Sequence, residues 1–256
     1  MSIAVLAAGA LGGALPLCRE LQGGRLLNWG NAFAAGVLLG AGLIHMLPDA
    51  AEAWRALGWN YPMAFMLAAV GFVSMLLFEH LLLPETAHEI VHAPSSERFT
   101  HLRGRDRAGL TAYTVMAALS LHSLLAGLAL GAEPEAAGAL VIFVAVMAHK
   151  STAGFALGVS LVRSPLTRRR AWRLLGAFAL ATPLGILIGT AVGESLAGPT
   201  RLFFEASFLA LAAGTFAYVA TLDILRDEFL EPSGAWSKWL LVSAGTAMMG
   251  VLAIWV

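Results

Sequence analysis

The chain has 256 residues, 59% hydrophobic and 12% charged, with a mean hydropathy of +0.77, whereas a soluble domain carries roughly 45–50% and about 25%. That balance excludes a soluble globular protein, and since a spanning helix takes about 20 apolar residues, eight spans would use most of the chain and leave no separate domain. A formal net charge of zero gives no reason to expect nucleic acid, and the single Cys18 cannot form an internal disulfide.

Residues 1–18 carry no charged side chain and follow no Lys or Arg, so they read as a first span rather than a secretory leader. Apolar stretches of membrane length recur at about 30–47, 61–83, 110–131, 136–162, 172–193, 202–225 and 236–256. Turn and breaker signals separate them, among them Gly23-Gly24, Asn60-Tyr61-Pro62, Glu133-Pro134, Ser164-Pro165 and Gly198-Pro199. The predicted fold is all-α: a polytopic membrane bundle of eight transmembrane helices forming one domain over residues 1–256, with a His-containing loop at 84–109.

Loop charge sets the expected orientation. The odd-numbered loops hold Arg19, Arg25, Arg98, Arg103, Arg105, Arg107, Arg163, Arg168, Arg169, Arg170, Arg173, Arg226 and Lys238, and the even-numbered loops only Arg55 and Arg201. Cationic loops stay cytoplasmic, so both termini are expected outside and the 84–109 loop inside, where it is poor in apolar residues and expected to be mobile. The remaining cation, Lys150, falls inside a span as a pathway residue or one end of a buried pair.

One local repeat stands out. The fourth span reads His122-x-x-x-Ala126-Gly127-x-Ala129-Leu130-Gly131 and the fifth His149-x-x-x-Ala153-Gly154-x-Ala156-Leu157-Gly158. Consecutive spans run antiparallel, so such helices can be related by a pseudo-two-fold axis in the membrane plane, with a site near the midplane. His122 lies about 18 Å into a core of about 30 Å, and His149 reaches a similar depth from the other side. Paired neutral imidazoles suit zinc and other divalent transition metals; hydrogen bonding to neighbouring helices is the structural alternative. The Gly-x-x-x-Gly faces either serve this site or simply pack helices.

Other ionisable residues sit along the same route. His45 and Asp49 share a helix face near the outer end of the second span, where Asp49 either attracts cations or, with Pro48, ends the helix. Glu79 and His80 fall near the inner end of the third span, Glu205 near the outer end of the seventh and Asp223 near its inner end. Pro183 falls at mid-depth in the sixth, lining a path or making a kink. His88-Glu89-Ile90-Val91-His92 matches the metalloprotease pattern. An intramembrane zinc hydrolase is therefore the alternative in another functional class, although this motif sits in a loop rather than a long helix, has no assigned third ligand, and is better suited to holding an emerging ion loosely.

The chain resembles the ZIP (ZRT/IRT-like) divalent metal transporters over nearly its whole length. The resemblance is carried by Ala35-Gly36-Val37-Leu38-Leu39 through His45-Met46-Leu47-Pro48-Asp49, His122-Ser123 with Gly127, His149-Lys150, Thr182-Pro183-Leu184-Gly185, and Ala213-Gly214-Thr215-Phe216 leading into Asp223-Ile224-Leu225. It implies eight spans with outward termini and metal held between the fourth and fifth. The family usually places bridging carboxylates where this chain has Ala126 and Ala153, so the resemblance implies one central site from His122 and His149, with Ser123 assisting and a third ligand such as His45.

The expected activity is thus non-enzymatic: inward movement of Zn²⁺ or another divalent transition metal as substrate, across the plasma (inner) membrane, without an organic cofactor or nucleic acid. Asp49 and Glu205 would recruit the ion, His45 pass it on, and Asp223 with His88 and His92 receive it. A metal-binding family member that does not transport is a further alternative, and the sequence leaves room for a homodimer.

Overall fold

The computed structural model describes residues 1–18, 24–81, 97–133, 135–192, 198–230 and 233–254, apart from the side chains of 78–81, 97–108, 110–111 and 192. Among the described residues the chain is all-helical and forms eight rods. The first is Ser2–Cys18. The second joins Arg25–Gly40, a π-helical turn at Ala41–Met46, and Leu47–Ala56. Met63–Leu81, Glu97–Ala132, Ala136–Arg163 and Arg168–Val192 follow. The seventh joins Pro199–Tyr218, a π-helical turn at Val219–Leu225, and Arg226–Leu230; Ala235–Leu252 is the eighth.

The second, fourth, fifth, sixth and seventh rods contain stretches long and apolar enough to cross a membrane. The first, third and eighth have 17, 19 and 18 residues, roughly 26–28 Å of helix. Large apolar side chains such as Leu121, Leu187, Phe65 and Leu240 face outward, as lipid-facing surfaces require. Polar backbone groups are satisfied inside each helix, which is what a hydrocarbon solvent demands.

Two boundaries differ from the hydropathy reading. The fourth rod begins at Glu97, so the second half of the expected 84–109 loop is helical. Arg, Glu and Leu are good helix formers whether or not they are buried, and hydropathy is blind to that. The second rod does not stop at Pro48-Asp49 but continues to Ala56. Proline lacks an amide hydrogen and its ring crowds the carbonyl four residues back. Just before it the Leu47 amide bonds back to the Gly42 carbonyl, widening the helix by one residue so that it passes the proline. In the seventh rod Thr221 Oγ1 donates to the Ala217 carbonyl at 2.6 Å, a competing bond of the kind that bends helices.

The rods pack most closely as four parallel pairs: first with fifth, second with eighth, third with seventh, fourth with sixth. Glycine permits the approach. A Cβ on Gly127 would overlap the Thr182 carbonyl oxygen, and one on Gly214 that of Ala68. Exchanging first with sixth, second with seventh, third with eighth and fourth with fifth maps this set of pairs onto itself. The two π-helical turns exchange as well. Sequence follows the same operation: Ala34-Ala35-Gly36 leads to His45-x-Leu47-x-Asp49 at the spacing by which Ala212-Ala213-Gly214 leads to Asp223-x-Leu225-x-Asp227. Two inverted halves therefore flank an axis between the fourth and fifth rods, where His122 and His149 stand.

Candidate metal site

His122 and His149 are almost fully buried, and their Nε2 atoms face each other at 3.4 Å. In this arrangement one ring donates and the other accepts. The separation also suits a metal, because Zn–N bonds of about 2.0–2.1 Å in a tetrahedral site place two ligand nitrogens about 3.3–3.4 Å apart. The fully buried Phe216 supports the pair, its ring centroid 4.2 Å from that of His122 and 6.2 Å from that of His149.

The two imidazoles close the deep end of a cavity of about 220 Å³. His45, Asp49 and Glu205 line the same cavity, along with Ala126 and Arg201. Its other residues include Ala53, Ala132 and Leu202, at the ends of the second, fourth and seventh rods. The cavity therefore opens on the face of the even-numbered connections. Beyond the histidines, toward the opposite face, Leu119, Leu157, Phe216 and Tyr218 fill the space.

Five of the expected site residues thus meet around one space: His122, His149, His45, Asp49 and Glu205. His45 Nδ1 is 2.9 Å from Asp49 Oδ2, one helical turn on. Among the described residues no three His, Cys, Asp or Glu side chains are grouped closely enough to hold an ion together. Ser123 faces elsewhere: its Oγ accepts from Lys150 Nζ at 2.8 Å. The same ammonium donates to Thr182 Oγ1 at 2.9 Å and stands 3.9 Å above the Phe178 ring. Lys150 is thus one member of a buried polar group between the fourth, fifth and sixth rods, and among the described residues its hydrogen-bond partners are the hydroxyls of Ser123 and Thr182. Pro183 follows Thr182 inside the sixth helix.

Asp223 lies on the filled side, buried, with Thr114 Oγ1 3.5 Å from its Oδ2. Glu79 and His80 fall on the third rod, but their side chains are outside the described set. His88 and His92, and with them the His-Glu-x-x-His motif, lie outside the described residues altogether.

A second polar cluster carries little signal in the sequence. Glu228 is buried in the seventh rod, accepting from Asn31 Nδ2 at 2.8 Å and Arg163 Nη2 at 2.7 Å. Lys238 Nζ is 3.9 Å from its Oε2 and donates to its main-chain carbonyl. The cluster joins the second, fifth, seventh and eighth rods on the face opposite the cavity mouth. Asp227-Glu228 reads as an ordinary polar flank after an apolar span. The available signal was Asn31, a strong hydrogen-bonding group inside an apolar stretch.

The fold defines an integral membrane protein, a helical bundle around a largely apolar cavity that His45, Asp49, His122, His149, Arg201 and Glu205 punctuate. Its sequence matches the family model described as ZIP Zinc transporter over residues 1–109 and 84–253. It is 31% identical to zinc transporter ZIP2 of Homo sapiens over 88% of this chain and 84% of that protein. It is 32% identical to human zinc transporter ZIP1 over 90% and 79%, and 25% identical to zinc transporter 3 of Arabidopsis thaliana over 88% and 73%. The chain belongs to the ZIP zinc transporter family, whose members are transporters rather than enzymes.

Proposed function

We propose that the protein carries a divalent transition metal, zinc foremost, toward the cytoplasm, holding it midway between His122 and His149. The observation that carries this reading is the 3.4 Å separation of the two Nε2 atoms at the blind end of a cavity, which matches the edge of a zinc tetrahedron. Asp49 and Glu205 recruit the ion at the mouth, and His45, between mouth and pair, hands it inward. On the far side Asp223, His45's counterpart in the inverted repeat, receives it on the way to the histidines of the 84–109 segment.

The direction rests on charge. The connections opposite the mouth hold nearly all the cationic residues, which keeps that face cytoplasmic. The mouth then faces outward, as do both chain ends, and the membrane is the plasma (inner) membrane. Movement is a rocking of one helix group against another around a fixed site.

The test is uptake of radiolabelled zinc into proteoliposomes. Replacing both imidazoles (His122→Ala with His149→Ala) reduces uptake to the level of protein-free vesicles; undiminished uptake overturns the site. The alanines at 126 and 153 favour a second reading, a family member that binds metal without carrying it. Stoichiometric zinc on the purified wild type with no flux would select that reading.

A further inference from the structure

Arg201 stands at the cavity mouth among carboxylates. Its Nη2 lies 2.8 Å from Glu133 Oε2, and its Nη1 donates to the Ala132 carbonyl at 3.1 Å. Its Nε is 3.9 Å from Glu205 Oε2. The order of these distances decides where the positive charge is spent. A charge-assisted bond at 2.8 Å is a strong one, and the terminal carbonyl of the fourth rod adds the negative end of a helix dipole. The guanidinium is therefore committed to Glu133 and Ala132, and Glu205 has only its fringe.

The formal charges then balance in a definite way. Arg201 and Glu133 cancel, leaving Asp49 and Glu205 as two carboxylates lining the cavity. Their formal sum matches one dication. Their side chains are 46% and 35% exposed, so an arriving ion can reach both. Without Arg201 the mouth would present a third, uncompensated carboxylate. That added negative charge would attract any dication, hard ions such as Ca²⁺ included, because Coulomb attraction does not depend on ligand softness. It would also hold an incoming ion too firmly to pass it on, since conduction needs stops that bind and release.

We infer that Arg201 is a specificity-determining residue of the transport path: as a fixed counter-charge clasped by Glu133, it keeps the mouth matched to a single dication in transit. This rests on the carrier reading above. It makes opposite forecasts for the two partners of one ion pair, which a merely structural clasp would not.

The experiment is zinc uptake by proteoliposomes across a zinc concentration series, with and without calcium, for wild type, Arg201→Gln, Glu133→Gln and Arg201→Lys. Arg201→Gln lowers KM for zinc about threefold, lowers the maximal rate, and makes uptake newly sensitive to calcium. Glu133→Gln frees the guanidinium toward Glu205 and raises KM by a similar factor without calcium sensitivity. Arg201→Lys keeps the charge but loses the two-pronged clasp, so it lowers KM less than Arg201→Gln and adds less calcium sensitivity. If both glutamine variants move KM the same way, or lose maximal rate at unchanged KM, the clasp only braces the helices and the inference fails. Should Arg201→Gln not fold, a KM that does not rise in Glu133→Gln overturns it. Absence of zinc flux in the wild type would overturn the carrier reading, and this inference with it.

Discussion

Ala126 and Ala153 occupy matched places in the internal repeat, yet their surroundings differ. Ala126 lines the cavity that ends at the imidazole pair. Ala153 is buried in the hydrophobic core on the fifth rod. The difference gives opposite expectations for one substitution. Ala126→Glu brings a carboxylate into the cavity beside the two imidazoles of the proposed site, where it would act as a third ligand; zinc affinity should rise by about tenfold, or about 1.4 kcal/mol, with slower release. Ala153→Glu places an unpaired carboxylate among apolar side chains, a desolvation cost of several kcal/mol, and thermal unfolding in detergent should occur at lower temperature. Zinc titration and melting curves on the two variants check both. The pair of histidines was legible because a repeat with matched depth singles them out. The direction of Lys150 was not: adjacent helical residues point about 100° apart, and only the assembled sixth rod supplies Thr182 and Phe178 to receive its ammonium.

At the scale of the helix, hydropathy finds where apolar side chains are and passes over what the backbone does. It located the stretches that became the rods, because each must bury or expose to lipid a long run of apolar surface. It missed the helical start at Glu97, where charged residues are equally good helix formers, and the continuation through Pro48, where a π-helical turn absorbs the defect. The small-residue faces were visible, but their partners were not. Gly127 and Gly131 contact the sixth rod and Gly154 and Gly158 the first, so neither face packs on the other. Close approach of parallel helices depends on backbone atoms meeting without intervening side chains. Gly127→Val therefore forces the fourth and sixth rods apart at Thr182, loosening the element that positions both His122 and the Lys150 partners. Loss of folded protein and of zinc uptake is expected. Gly176, whose Cβ would meet nothing within 4 Å, is the control. Gly176→Ala should leave uptake intact and raise stability by about 0.5–1 kcal/mol through helix propensity. Size-exclusion profiles and melting temperatures of the two variants distinguish a packing requirement from a general intolerance of change at glycine.

The whole molecule is asymmetric in state although symmetric in plan. On one face the cavity reaches down to His122 and His149; on the other, the counterpart of His45 is the buried Asp223, and the rods are cinched by Glu228 with Arg163, Asn31 and Lys238. In the proposed transport cycle, exchanging the conformations of the two inverted halves would close the first face and open the second, and the Glu228 cluster would part for the ion to leave. Glu228→Gln removes the charge that Arg163 and Lys238 share. Breaking a buried pair in this way costs about 3–5 kcal/mol, and here the cost falls on the conformation with this face closed. The equilibrium should move toward opening of the Asp223 side. The natural chain has only Cys18, so single-cysteine reporters in a Cys18→Ala background can follow both faces. Ala220→Cys, buried beside Asp223 in the π-helical turn, should label faster with a hydrophilic maleimide when Glu228→Gln is added. Ala129→Cys, in the cavity wall, should label more slowly. Faster labelling at both sites would mean that the bundle has merely loosened, and unchanged labelling at both would make the cluster a passive brace; only opposite changes fit two halves that exchange around a fixed histidine pair.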